Sequence, residues 1–171
     1  MNLEERATAA RALADREAIR AALDAYFDAL GRGDWDAIAD GFTADAELDY
    51  GTPDVRDVEG NLRLLRAGVE RLTLVSTLLG MQSRVATSGD EGTSQSLAFT
   101  AHLAAGDGPP RMRVSFVRYE DAWRREPDGR WRVRARVVHP DVKGWLDPVV
   151  DRDGVSADGS NVGGRARRVL C

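Results

Sequence analysis

Apolar side chains recur at steps of three and four along the first thirty residues, at Leu13, Ile19, Ala22, Leu23, Tyr26, Phe27 and Leu30. This spacing places them on one face of an α-helix. We expect the helix to begin at or just before Asp15, or earlier if the alanine-rich residues 7–14 extend it. Gly31 and Gly33 tolerate left-handed backbone and predict its end.

Two shorter helices and a short strand follow. Asp34 can cap a second helix whose apolar face carries Trp35, Ile38, Ala39 and Phe42. Residues 46–50 alternate in polarity before Gly51, which predicts a strand with Ala46, Leu48 and Tyr50 on its inner face. Residues 60–72 return to helical spacing.

The second half of the chain is rich in strand patterns. Residues 74–86, 92–104 and 111–125 are separated by turn residues, which indicates an antiparallel meander. A last hairpin leads into residues 131–138, where four apolar residues alternate with Arg132, Arg134 and Arg136. We expect those arginines on the solvated face or in salt bridges to a second subunit. Helices followed by strands predict an α+β fold.

Length and composition then limit the classes of protein. With 171 residues, we expect one domain over residues 8–147 and a flexible tail over residues 148–171, which is rich in glycine and aspartate. The 24 basic residues are spread among 28 acidic ones, so we expect no nucleic-acid partner. No apolar run is long enough for a membrane span, and the single cysteine, Cys171, predicts a cytoplasmic protein without disulfides.

Two groups of motifs, one in each half of the chain, together form a recognisable pattern. Asp34-Trp35-Asp36 is followed after twelve residues by Asp49-Tyr50, and later come the stretches 118–121 and 128–133 with Arg136. This pattern resembles the SnoaL-like group of the nuclear transport factor two-like superfamily, and within it scytalone dehydratase and related lyases, isomerases and cyclases.

The resemblance implies a cone-shaped α+β barrel, in which about three N-terminal helices and a strongly curved, mixed but mostly antiparallel sheet enclose one pocket. It also implies a homodimer or a higher homo-oligomer, a small-molecule substrate, and chemistry without metal or organic cofactor. The same cone hosts enzymes and plain binding domains, so the pocket must decide the function.

The resemblance also assigns candidate residues. Tyr50 matches a tyrosine that polarises a substrate carbonyl, and His102 lies where a second pocket histidine is found. Arg118 and Glu120 match strand positions that point into the cone; a slip of one residue would instead turn Tyr119 and Asp121 inward. The candidate ligand-binding residues are Tyr26, Leu30, Trp35 and Thr77.

Two positions depart from the family pattern. Gly31 stands where related dehydratases carry an aspartate, and Thr77 stands where they carry a histidine. That pair supplies the general base for removing a proton next to a carbonyl, which threonine cannot do.

Three hypotheses therefore stay open. The first is a cofactor-independent lyase, isomerase or cyclase acting on an oxygenated polycyclic or phenolic, polyketide-like metabolite, with His102 or Glu120 as the base and Arg118 stabilising charge. The second is a pocket that binds or shapes its ligand without catalysis, and the third is a subunit that assembles with another chain.

Overall fold

The first helix, α1, spans Leu3–Arg32 and begins earlier than the apolar pattern predicts. Asn2 caps it: its side chain accepts a hydrogen bond from the Glu5 amide, and the Glu5 carboxylate accepts one from the Asn2 amide, both at 2.8 Å. This reciprocal cap satisfies two amides of the first turn, and the alanine-rich sequence sustains the helix from there. The helix ends at Gly33, where φ is 68°.

The fold is given by a computed structural model that describes residues 2–79, 84–104 and 111–146; of residues 73–79 and 104 only the backbone is described. The predicted tail, residues 148–171, lies outside this part. Helix α2 spans Trp35–Asp40 and is capped by Asp34, and helix α3 spans Val58–Val69 and is capped by Asp57. Both caps accept a hydrogen bond from an amide of the first turn, as the position requires.

The strands follow the predicted order with different bounds. They are β1 Phe42–Asp49, β2 Leu72–Leu79, β3 Arg84–Ser88, β4 Glu91–Ala104, β5 Met112–Arg125 and β6 Trp131–Leu146. The run predicted at residues 74–86 is therefore two strands, and the last strand continues well beyond residue 138.

The sheet has the order β1-β6-β5-β4-β2, with β3 also paired to β4. β1 runs parallel to β6, and the other pairs are antiparallel. The α+β class and the mixed, mostly antiparallel sheet are confirmed, but the described strands form an open sheet with β1 and β2 at its edges.

The position of α3 shows how strongly the sheet curls. This helix contacts both β1 and β2, the two ends of the strand order. Five flat strands would place those ends about 19 Å apart at the usual strand spacing, whereas a helix with its side chains is only about 10–12 Å across. The sheet must therefore bend around the helices, as in a cone.

The core lies between α1 and the inner face of the sheet. Ile19, Leu23 and Phe27 of α1 are buried there with Trp123 of β5 and Trp131 of β6. A side chain of this kind stabilises the fold by about 1.5–3 kcal/mol when it is buried. The helix thus closes one side of the cone. Within the described residues, no helix is long and apolar enough to cross a membrane.

Strand β6 has two irregularities, and the first is a β-bulge at Arg134. Ala122 of β5 faces Ala135, but the next residue, Trp123, faces Val133, so Arg134 is an extra residue in β6. An extra residue exchanges the faces of the residues that follow it, up to the next irregularity. Arg136 consequently points into the core and has 1% exposure. The expectation that Arg136 lies on the solvated face with Arg132 and Arg134 was wrong for this reason.

Candidate functional site

A pocket of about 360 Å³ opens between α3, the segment after β1, and the inner face of β4, β5 and β6. Its apolar lining includes Leu64, Leu65, Val69, Leu72 and Trp145, and its polar lining comprises Tyr50, Thr52, Asn61, His102 and Arg113. This volume and this mixture of many apolar with few polar groups are typical of a small-molecule site.

Tyr50 is placed by the segment that joins β1 to α3. The Leu48 amide donates to the Arg56 carbonyl at 2.7 Å, which closes this segment into a loop. Asn61, 1% exposed, donates from its side-chain amide to the carbonyls of Leu48, Val55 and Asp57 at 3.0–3.3 Å. One buried side chain therefore ties the loop that carries Tyr50 to the first turn of α3.

A buried ion pair lies behind Tyr50. Arg136 and Asp121 are joined at 2.7 Å and 3.1 Å, and neither side chain has any exposed surface. The third guanidinium nitrogen of Arg136, Nη1, lies 3.4 Å from the Tyr50 hydroxyl, which itself lies 2.8 Å from the Tyr26 hydroxyl. Since a guanidinium only donates, the Tyr50 oxygen accepts from it. The Tyr50 proton is then available to Tyr26 or to a ligand.

Aromatic rings complete the surroundings of Arg136. Its guanidinium lies 4.3 Å from the ring centre of Tyr26 and 5.1 Å from that of Tyr119, a favourable cation–π geometry. Burial opposes the charge on Arg136, but Asp121 outweighs this and raises the pKa of Arg136 well above its usual value. Burial also raises the pKa of Tyr26 and of Tyr119, so both phenols stay protonated.

His102 reaches the same pocket from β4. It is partly buried, and this burial lowers the pKa of its imidazole, with a further lowering by the nearby positive charge of Arg113. At neutral pH the imidazole is therefore uncharged and able to accept a proton. Of the residues predicted to be catalytic, the structure brings Tyr50 and His102 together in one pocket.

Arg118 and Glu120 lie elsewhere, which corrects the expected register. On β5 the buried residues are Ser115, Val117, Tyr119, Asp121 and Trp123, so the residues between them face the outer side. There Arg118 forms ion pairs with Glu120 at 2.7 Å and with Asp141 at 3.2 Å. The alternative register, with Tyr119 and Asp121 inward, is the one adopted.

The four candidate ligand-binding residues have different positions. The Tyr26 hydroxyl forms a hydrogen bond with that of Tyr50, but Tyr26 is buried, with 6% exposure, and does not line the pocket. Leu30 is buried in the core and Trp35 packs against that core, and neither lines the pocket. The side chain of Thr77 lies outside the described side chains; its backbone pairs with Thr100 of β4.

Sequence reasoning missed Asp121 as a partner of Arg136, and it missed Asn61 and Arg113. The alternation along β5 could have indicated Asp121. The inward orientation of Arg136, however, depends on a bulge that the local sequence pattern does not predict. Across residues 2–79, 84–104 and 111–146, no three histidine, cysteine, aspartate or glutamate side chains form a group that could hold a metal ion.

Comparison with curated proteins gave no significant match, but solved structures share the fold. A protein from Novosphingobium aromaticivorans assigned as a scytalone dehydratase is 18% identical, with 81% of this chain and 91% of that chain covered and a TM-score of 0.68. A type 2 hexachlorocyclohexane dehydrochlorinase is 16% identical, with 78% and 90% covered and a TM-score of 0.67. An NTF2-like protein with a cystatin-like fold from N. aromaticivorans is 24% identical, with 82% and 90% covered and a TM-score of 0.64.

The family assignment rests on the sequence itself. The SnoaL-like domain family matches residues 11–137, a stretch that runs from α1 through the bulge of β6 to the residue after Arg136. It contains Tyr50, His102 and the Asp121–Arg136 pair, and thus most of the pocket. The chain belongs to the SnoaL-like domain family, and it shares its fold with an NTF2-like protein of known structure.

Proposed function

We propose that this protein is a cofactor-independent lyase or isomerase that moves a proton next to the carbonyl group of an oxygenated, ring-containing small molecule. The observation that carries the proposal is that Tyr50 and a neutral His102 line the same pocket. The Tyr50 hydroxyl accepts a hydrogen bond from Arg136 on the side away from the pocket. The cytoplasm remains the expected compartment, and a polyketide-like phenolic compound the expected substrate.

The reaction begins when the neutral imidazole of His102 removes a proton from the carbon next to the carbonyl. The electron pair of the broken C–H bond forms the enolate, and its oxygen accepts a hydrogen bond from Tyr50. In an isomerisation the imidazolium returns the proton to another carbon. In an elimination the enolate expels a β-hydroxyl group, which takes the same proton and leaves as water.

The Arg136–Asp121 pair supports Tyr50 in this step. As negative charge develops on the substrate oxygen, it draws the Tyr50 proton towards itself and increases the negative charge on the Tyr50 oxygen. Arg136 faces that oxygen with a fixed positive charge, and its own side chain has no exposed surface. Donors arranged in advance like this contribute strongly to catalysis, since nothing has to reorganise during the reaction.

The names of two structural neighbours support an elimination. One is assigned as a scytalone dehydratase and the other is a dehydrochlorinase. Both names denote the loss of a small leaving group from a carbon skeleton. His102 takes the part of the base here because Gly31 and Thr77 provide none.

The test uses 2-tetralone, a bicyclic ketone with activated C–H bonds, as a probe. In heavy water, the protein should accelerate the exchange of these protons for deuterium, as followed by ¹H NMR. The replacement His102→Gln should reduce the enzymatic rate by about 10²–10⁴-fold, and Tyr50→Phe by about 10²–10³-fold. Circular dichroism of both variants controls for folding.

A non-catalytic pocket protein predicts a different result. It would bind 2-tetralone, with shifts in the NMR signals of residues such as Trp145, but the exchange rate would equal that of the buffer. Unchanged exchange in both variants would likewise contradict the assigned roles of His102 and Tyr50.

We also propose that the protein forms a homodimer through the outer face of the sheet. Phe116, Val142 and Leu146 of β5 and β6 are about half exposed there, which is unusual for large apolar residues of neighbouring strands. Replacing Phe116 with Glu should convert a dimer to a monomer in light scattering. A monomeric wild-type protein, or one that co-purifies with a different chain, would contradict this proposal.

A further inference from the structure

Three side chains form a row across the inner face of the sheet at the mouth of the pocket. Arg113 of β5 lies directly opposite His102 of β4 and Trp145 of β6. Opposite residues of antiparallel strands share a face and have Cβ atoms about 4.5–5.5 Å apart. All three line the pocket, so a ligand that enters passes a cation, an imidazole and an indole.

Arg113 differs from the other arginines of β5 and β6. Arg118, Arg124, Arg125, Arg132, Arg134 and Arg136 each form an ion pair with a carboxylate. In the part of the chain that the structure describes, Arg113 has no such partner. Arg113 and His102 line the same pocket, and after burial the charge of Arg113 is the second cause that lowers the pKa of His102.

The remaining lining does not neutralise this charge. Among its described residues there is no aspartate or glutamate. The acidic residues next to lining residues in the sequence are paired with other arginines. Asp49, which precedes Tyr50, pairs with Arg56, and Glu70, which follows Val69, pairs with Arg66. Among its described lining residues, the pocket therefore combines an apolar wall with the positive charge of Arg113. The guanidinium of Arg111 adds a second cation at the edge, 4.9 Å from the ring centre of Trp145.

We propose that the natural ligand is an aromatic carboxylate, whose carboxylate group pairs with Arg113 while its ring lies against Trp145 and the leucines of α3. This inference rests on the proposed function, because it places the reacting carbonyl of the same molecule at Tyr50. A guanidinium binds a carboxylate through two parallel hydrogen bonds. The single charge of a carboxylate is balanced by the guanidinium of Arg113.

The test compares three probes of nearly the same shape: 2-naphthoate, naphthalene-2-carboxamide and methyl 2-naphthoate. Isothermal titration calorimetry at neutral pH should show that the wild-type protein binds the acid at least about tenfold more tightly than the amide or the ester. Arg113→Gln should weaken binding of the acid by about 10- to 100-fold and leave binding of the amide unchanged.

Arg66→Gln is the matched control. It removes the same charge from the exposed surface of α3, where Arg66 pairs with Glu70, and it should retain the preference for the acid. Equal affinity of the wild-type protein for acid and amide, or a preference for the acid that survives Arg113→Gln, would overturn the inference.

The two proposals fail separately. A preference for the acid that depends on Arg113, in a protein that does not accelerate proton exchange in 2-tetralone, supports the anion site and contradicts the proposed catalysis. Rapid exchange without any preference for the acid contradicts the carboxylate and leaves the catalytic proposal in place.

Discussion

The replacement Asp121→Asn removes one charge from the core without changing the size of the side chain. Asp121 and Arg136 have no exposed surface and meet at 2.7 Å. Asparagine has nearly the same volume as aspartate, so the variant creates no cavity, and it keeps one oxygen that can accept a hydrogen bond. What it leaves is the Arg136 guanidinium, buried and without its counter-charge.

The expected loss follows from that unpaired charge. Removal of one partner from a buried ion pair costs about 3–5 kcal/mol of the free energy of unfolding. For a chain of this length, each kcal/mol lowers the melting temperature by about 2–4 °C. We therefore expect a decrease of roughly 6–20 °C for Asp121→Asn.

The assay is thermal unfolding by circular dichroism, with two further variants. Arg136→Met in the Asp121→Asn background removes the second charge, and the double variant should regain most of the lost stability, because an uncharged pair of similar volume avoids the desolvation cost. Arg118→Ala is the surface control: its ion pairs with Glu120 and Asp141 are exposed, and it should cost less than about 1 kcal/mol.

The order of the variants decides the question. A single variant, Asp121→Asn, that melts within a degree or two of the wild-type protein would mean that Arg136 does not depend on Asp121. A double variant less stable than Asp121→Asn alone would mean that the arginine stabilises the core through its packing on Tyr26 and Tyr119 instead of through its charge.

Two further predictions concern stability. Burial lowers the pKa of His102 in the folded protein below its usual 6.5, so the unfolded chain binds more protons as the pH falls through this range. In urea unfolding, the free energy of unfolding of the wild-type protein should therefore decrease more steeply with falling pH than that of His102→Gln. Equal slopes would contradict the shift. A Cβ at Gly92 would lie 2.9 Å from the buried Ile19, whereas one at Gly68 would have no neighbour within 4 Å. We expect Gly92→Ala to cost about 1–3 kcal/mol of the free energy of unfolding, and Gly68→Ala, in helix α3, to add about 0.5–1 kcal/mol. Thermal unfolding in which both glycine variants shift the melting temperature in the same direction would refute the contact.

Much of the fold could be predicted from local patterns. The three helices follow from apolar spacing and from capping residues such as Asp34, and the strand order in sequence follows from alternation between turns. The early start of α1 was missed because Asn2 and Glu5 act together as a cap well before the periodic apolar positions begin at Leu13. The division of residues 74–86 into two strands leaves no mark in their polarity.

The candidate site was predictable only in part. Tyr50 and His102 lie on the inner side because alternation is regular over residues 46–48 just before Tyr50 and along β4 before His102. The inward turn of Arg136 requires an extra residue at Arg134, and an arginine-rich stretch suggests solvent by itself. Arg113 could not be singled out among so many arginines, since its lack of a described ion pair is a property of the tertiary structure.

The bulge in β6 makes the chemistry of the pocket depend on a residue count. Regular pairing that included Arg134 would place Ala135 opposite Asp121 and turn Arg136 outward, whereas deletion of Arg134 would remove the bulge and keep Arg136 inward. In the regular pairing Asp121 would face an alanine, and Tyr50 would lose the cation behind it. Whether a single residue of this strand is paired or bulged therefore decides whether the interior beside Tyr50 is charged or apolar.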